Sequence, residues 1–193
     1  MTHVTAIVAN RRTRWGIVGI VQILKRSLIA GGAAAAVLLA GGVAADAASS
    51  PKYKAPKVFG TTFQKDPQHD FTKHISSRHN GILRGWITHV SGGTAEYTPI
   101  RWKKGTQDEG YFEGPPEGDV MAYASPVAKD VLFLSAYGCK STPSAMTVDR
   151  NTGLGSKKCT RAALIKRARS YKQPALITVY KGQIVQLQEI YTP

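Results

Sequence analysis

The sequence is poor in acid. Its 193 residues carry 12 Asp and Glu against 26 Lys and Arg, a formal net charge of +14, and a surplus of that sign favours anionic partners. It is poor in cysteine too: Cys139 and Cys159 are the only two, which excludes a mini-protein stapled by several disulfides. Aromatic residues make up only 8% of a chain that is 42% hydrophobic and 20% charged. That composition belongs to one folded domain, not to a collagen-like or wholly disordered chain. The common catalytic signatures are missing: there is no G-x-S-x-G, no H-E-x-x-H, no phosphate-binding G-x-x-x-x-G-K, no dinucleotide fingerprint and no C-x-x-C. The sequence names no activity and no cofactor.

Long apolar runs are also scarce, which excludes a polytopic membrane protein. The main one, Leu28 to Ala45, follows Lys25-Arg26 and ends in Ala45-Asp46-Ala47, small residues at the two positions a signal peptidase reads. The pattern predicts a signal peptide over 1–47, cleavage after Ala47 and a secreted protein with no membrane span. An uncleaved anchor is the alternative, disfavoured because these 18 residues barely reach across a bilayer and many are weakly hydrophobic Ala and Gly. No Cys follows the run, so the chain does not read as a lipoprotein. Arg11-Arg12 suggests a twin-arginine signal only weakly, because a second apolar patch, Trp15 to Leu24, intervenes. A start near Val21 would give a leader of ordinary form and the same mature chain.

Removing the leader takes away five basic residues and one acid, leaving 21 against 11, a net charge of +10 on 146 residues. The first mature stretch, 48–80, reads as an extended linker. Ser49, Ser50, Pro51, Pro56 and Pro67 break any period, and Lys52, Lys54 and Lys57 alternate with apolar residues. His69, His74 and His79 are spaced by five, which on a helix turns successive rings by about 140° and puts them on different faces. They read as surface histidines, with no metal site.

From Gly81 the sequence becomes strand-like. Gly81 to Val90 and Thr94 to Trp102 flank Ser91-Gly92-Gly93 and predict a hairpin, with a bend or bulge at Gly85 and an edge or break at Pro99. A polar loop holding Asp108, Glu109, Glu113, Glu117 and Asp119 follows, then two strand candidates, Val120 to Ala124 and Val131 to Ala136. Carboxylates in such a loop can serve acid–base chemistry, but no His or Arg stands at a recognisable spacing.

Cys139 and Cys159 flank a segment of Ser, Thr, Pro, Gly and Asn, which predicts a disulfide-closed loop in an exported chain. Inside it Asp149, Asn151 and Gly153 alternate as in a calcium loop. The closing Glu is missing and Arg150 intrudes, so a turn is the better reading. Thr160 predicts the cap of a short helix, Arg161 to about Ser170, ended by Pro174, with Leu164, Ile165 and Ala168 inward and Lys166, Arg167 and Arg169 outward. Lys157, Lys158, Arg161, Lys166, Arg167, Arg169 and Lys172 form the densest basic stretch and are the candidate polyanion-binding residues. The chain closes with Ala175 to Tyr180 and Gln183 to Tyr191 about Lys181-Gly182, a second hairpin in which Val179 is expected to face Ile184 and Leu176 to face Leu187.

These pieces predict a mainly β domain over 81–193: a small antiparallel β-barrel or strongly curved sheet, OB-like among the candidates, with one short helix before the last hairpin and one disulfide. The Ala-rich leader, the Gly138-Cys139 before Gly153-Leu154-Gly155, and the final hairpin from Val179 to Pro193 resemble small exported proteins of high-GC Gram-positive (actinobacterial) bacteria for which we know no activity. The resemblance implies export and carries no functional residues. Two functions are expected from the residues. One is an exported, non-catalytic binding module for an anionic polymer such as a wall polymer or nucleic acid, or for an extracellular protein. The alternative is a small secreted nuclease-like hydrolase using dispersed residues such as His89, Arg101 and a carboxylate of the acidic loop.

Overall fold

The computed structural model describes residues 51–106 and 109–192. The expected signal peptide, its cleavage site and Asp108 lie outside the described residues. Among those that are described, no helix is long and apolar enough to cross a membrane.

The first expected hairpin forms from β1 (Gly81–Ser91) and β2 (Thr94–Pro99). Gly92 and Gly93 turn the chain at φ +55° and +85°, the left-handed pair that a type I′ turn requires and that glycine enters without strain. Pairing stops at Pro99, as expected. The chain then turns away, and β3 (Arg101–Lys103) pairs with β4 (Tyr111–Glu113) in a separate ribbon inside the polar loop. The β1 bulge falls between Ile87 and His89, not at Gly85. Gly85 serves close approach instead, since a Cβ there would lie 2.4 Å from the Thr98 carbonyl oxygen.

One 13-residue strand, β5 (Tyr123–Ser135), replaces the two expected around Pro126. The Val127 N–H donates to the Gly93 carbonyl at 2.9 Å, so by strand alternation the N–H that Pro126 lacks would point away from β2. The β2 ladder therefore loses no bond at Pro126, and the strand runs on to new partners. Within the disulfide loop β6 (Val148–Asp149) pairs with β7 (Leu154–Gly155), and β8 (Lys157–Cys159) pairs with the far half of β5. Helix α1 (Arg161–Ser170) follows, and the Thr160 hydroxyl accepts from the Ala163 N–H as its cap.

The last hairpin joins β9 (Ala175–Tyr180) to β10 (Gln183–Glu189). Val179 faces Ile184 as expected, but Leu187 faces Ile177 and Gln188 faces Leu176, because a bulge at Val185 shifts the register by one. The barrel runs β1–β2–β5–β10–β9 and closes on β1. Its β5–β10 pair is parallel, which corrects the wholly antiparallel expectation. The disulfide loop, α1 and β9 lie between those strands in sequence and supply the long crossover that a parallel pair needs. With five strands and a helix between the third and fourth of them, the barrel is OB-like.

Leu83, Ile87, Tyr97, Phe133, Ile177 and Ile184 belong to the main core. A second cluster of Ile100, Phe112, Leu176 and Ile190, with Trp86 and Trp102 packed against it, lies apart from it. The described residues before β1, 51–80, form no strand or helix, yet they are fastened to the barrel and are not the free linker expected over 48–80. Arg84, 2% exposed, holds them down. Its Nε donates to the Ile100 carbonyl at 3.1 Å, Nη1 to Lys57, and Nη2 to Thr62 at 2.7 Å. The Arg84 N–H donates to Gln64 Oε1 at 2.6 Å. Burial lowers the pKa of this guanidinium. Docking through backbone carbonyls is independent of side-chain composition, which is why the prolines and lysines of the segment suggested a linker.

Candidate functional site

The expected bridge is present: Cys139 and Cys159 are paired, with Cα atoms 5.3 Å apart. It fastens the loop from Lys140 to Lys158 beside β5 and the start of α1. The Asp149 carboxylate is committed to the turn of that loop, accepting from the N–H groups of Asn151 at 2.9 Å and Thr152 at 3.0 Å. This is the turn reading of Asp149, Asn151 and Gly153. Among the described residues, no group of three or more His, Cys, Asp and Glu is placed to hold a metal ion.

Six of the seven candidate basic residues stand where a solute can reach them. Lys157, Lys158, Lys166, Arg169 and Lys172 are exposed and Arg161 is half-buried. Arg167 is the exception, and corrects the outward placement: it is 3% exposed and faces Glu189, 1% exposed, at 3.1 Å. The helical period explains it. Arg167 stands one turn after the fully buried Leu164, on the helix stripe that meets the barrel. Its Nε and Nη2 donate to the Lys140 carbonyl, and Nη2 also to that of Gly138 at 2.8 Å. Glu189 in turn accepts from the Ser135 hydroxyl at 2.6 Å and the Ala136 N–H at 2.9 Å. A buried pair survives only when its remaining donors and acceptors are met, and these are. Arg167 therefore locks the helix and the start of the disulfide loop to the barrel and takes no part in an exposed surface.

This pairing changes the local charge. From Arg150 to Pro193 the sequence holds nine Lys and Arg but one acid, Glu189, and that acid is buried against Arg167. Among the described residues no other Lys or Arg of that stretch makes an ion pair within 4.0 Å, whereas Arg101, Lys103, Lys65 and Lys73 all do. The basic surplus is thus concentrated on the C-terminal part of the domain.

Three grooves divide that surface. Adjacent strand residues point to opposite sides, so Lys157 and Lys158 part company on β8. Lys157 lines a groove with Arg150, Met146 and Tyr191. Lys158 lines another with Thr160, Arg161, Asp130 and the disulfide. Asp130 and Arg161 also line a third groove, with the Gly92-Gly93 turn, Lys129 and Gln183. The last two grooves therefore meet at Asp130 and Arg161. Lys166 and Arg169 sit outside them on the exposed stripe of α1.

No family model, curated protein or solved structure matches this chain.

The parts invoked for a hydrolase are not gathered. His89 stands on β1 opposite Glu96, whereas Arg101 lies on β3 beyond the break at Pro99. Arg101 pairs with Glu113 at 2.6 Å, and Lys103 lies 3.7 Å from the same carboxylate. Hydrogen bonding to Arg101 holds the Glu113 carboxyl below its ordinary pKa. Asp119 lies 3.9 Å from Lys65. No histidine lines any of the three basic grooves.

Sequence reasoning missed a second polar pair. The ring of His79 is 2.9 Å from Asp66, whose side chain is 4% exposed against 57% for the histidine. Asp66 also accepts from the His79 N–H at 2.8 Å, and its own N–H donates to the Tyr123 hydroxyl at 3.1 Å. His69 packs edge-on against the same tyrosine. Two of the three histidines thus fasten the segment before β1 to the barrel. Nothing in their spacing of five signalled this. Arg84 did leave a signal, since Ile82 and Trp86 are its neighbours on one strand face and marked β1 as apolar on both sides.

Proposed function

We propose that this protein is an exported binding module that holds an anionic polymer on the basic surface formed by β8, α1 and the disulfide loop. The observation that carries the reading is the burial of Glu189 against Arg167. It removes the only acid of residues 150–193 from the surface, and among the described residues it leaves the other basic residues of that stretch with no ion pair within 4.0 Å. Such a surface attracts a polyanion mainly by releasing its condensed counterions, so affinity falls steeply with salt. Export is supported by the disulfide, which persists outside reducing compartments. It is supported also by the apolar run ending in Ala45-Asp46-Ala47.

The test is a salt series of affinities for a single-stranded oligonucleotide and for a teichoic-type polyol phosphate. Replacing Lys158, Lys166 and Arg169 together with Gln is expected to reduce the slope of log affinity against log salt by about two to three units. The same triple replacement at Lys52, Lys54 and Lys57 is expected to reduce it much less. Equal losses from the two triples would show that charge acts only as a general property of the domain, and would overturn the assignment of the surface.

A further inference from the structure

Arg161 differs from the other basic residues of this surface in the way its guanidinium is held. It is the first residue of α1, yet its side chain crosses to β5. There its Nε donates to the carbonyls of Val127 at 3.2 Å and Ala128 at 3.1 Å. That shared bond fixes the plane of the group. Among the described residues no acceptor takes the four N–H bonds of Nη1 and Nη2, and no carboxylate lies within 4.0 Å of them. The Nη2 end reaches the β1–β2 turn, where a Cβ on Gly93 would come within 2.9 Å of it. The fork is thus anchored at the point where the two grooves meet, between the Gly92-Gly93 turn on one side and Lys158 on the other.

A guanidinium with its Nε occupied and both Nη groups open presents parallel donors that match the paired oxygens of a phosphate or a carboxylate. Lysine offers a mobile point charge and cannot reproduce that geometry. We infer that Arg161 is the specificity-determining residue of the surface: its Nη fork takes one oxyanion group of the bound polymer in bidentate fashion, while the lysines around it supply charge. The inference rests on the polyanion reading above. Asp130, exposed and lining both grooves, faces the same space. It opposes any anion there, and so keeps affinity low for ligands that do not satisfy the fork.

Two probes separate the sources of the oxyanion: a short polyphosphate and a polyglutamate of matched length. Arg161→Lys keeps the charge and loses the fork, so it is expected to weaken binding of the recognised probe about tenfold at fixed salt, with an unchanged salt slope. Asp130→Asn is expected to tighten binding about two- to fivefold. Loss with polyphosphate alone identifies a phosphate ligand; loss with polyglutamate alone identifies a carboxylate. Because Arg161 also ties α1 to β5, melting temperatures are measured in parallel. In the unaltered protein, the Nη and Nε resonances of Arg161 are followed during titration with polyphosphate and with polyglutamate. Shifts at the Nη groups with the recognised probe support the fork without any substitution. If the wild type binds both probes with a steep salt dependence, and Arg161→Lys binds each as tightly as wild type with no Nη shifts, this inference fails and the polyanion reading stands. If the wild type shows no salt-sensitive binding to either probe, both fail.

Discussion

Among the described residues before β1, Asp66 alone is buried, and its environment sets a pH dependence. Burial alone would raise its carboxyl pKa, but the N–H and ring of His79 and the N–H of Gln68 outweigh it and hold the group below its ordinary 3.8. A carboxyl depressed in the folded state stabilises the fold above its unfolded pKa. That contribution is lost as pH falls through the folded value. The melting temperature is therefore expected to drop as the solution is acidified below about pH 4, and Asp66→Asn should flatten that drop while lowering the melting temperature at neutral pH. Thermal scans across this range check it, and parallel curves for the two proteins would contradict it. Arg167 gives a second residue-scale prediction. Arg167→Gln strands Glu189 in the core and is expected to cost about 3–5 kcal/mol in denaturant unfolding, whereas Lys166→Gln next to it should change stability by less than about 0.5 kcal/mol. Adding Glu189→Gln to the first variant should recover part of the loss. Neither acid's role was legible in the sequence, because a partner 13 or 22 residues away leaves no periodic mark.

At the scale of elements, what was legible is what local chemistry decides. Thr160 marked the start of α1, and Ser91-Gly92-Gly93 and Lys181-Gly182 marked two hairpins, whose turns prove to be type I′ in the structure, with Lys181 itself at φ +49°. What a strand does at a distance was not legible. Pro126 looked like an interruption because its missing N–H counts only if it faces a partner, and the Val185 bulge shifted a register that turn chemistry alone had set. The bridge between Cys139 and Cys159 was legible from its setting, and it ties the basic loop to the strand that precedes α1. On loop-closure entropy a ring with a sequence separation of 20 contributes about 3 kcal/mol. Reduction is expected to lower the melting temperature by well over ten degrees, as a loss of that size does in a domain this small. A thiol titration of the untreated protein should find none free. Free thiols, or an unchanged melting temperature after reduction, would contradict the role given to the bridge.

For the whole molecule, the sign of the charge was plain in the composition but its distribution was not. Seven basic residues in one stretch suggested a single patch. The structure takes Arg167 out of it, sends Lys157 and Lys158 to different grooves, and anchors Arg161 between two of them. Around the β3–β4 ribbon, by contrast, Glu113 meets Arg101 and Lys103, so that side is largely neutralised. On the proposed reading, long-range attraction would orient a polyanion toward the C-terminal half of the domain. Lysine acylation footprinting with and without the bound polymer tests this most directly, because it reads every lysine of the intact protein at once. The account predicts protection at Lys157, Lys158, Lys166 and Lys172, with Lys52, Lys54, Lys57, Lys65 and Lys73 acylated at their free rates. Uniform protection, or protection centred on the segment before β1, would contradict it.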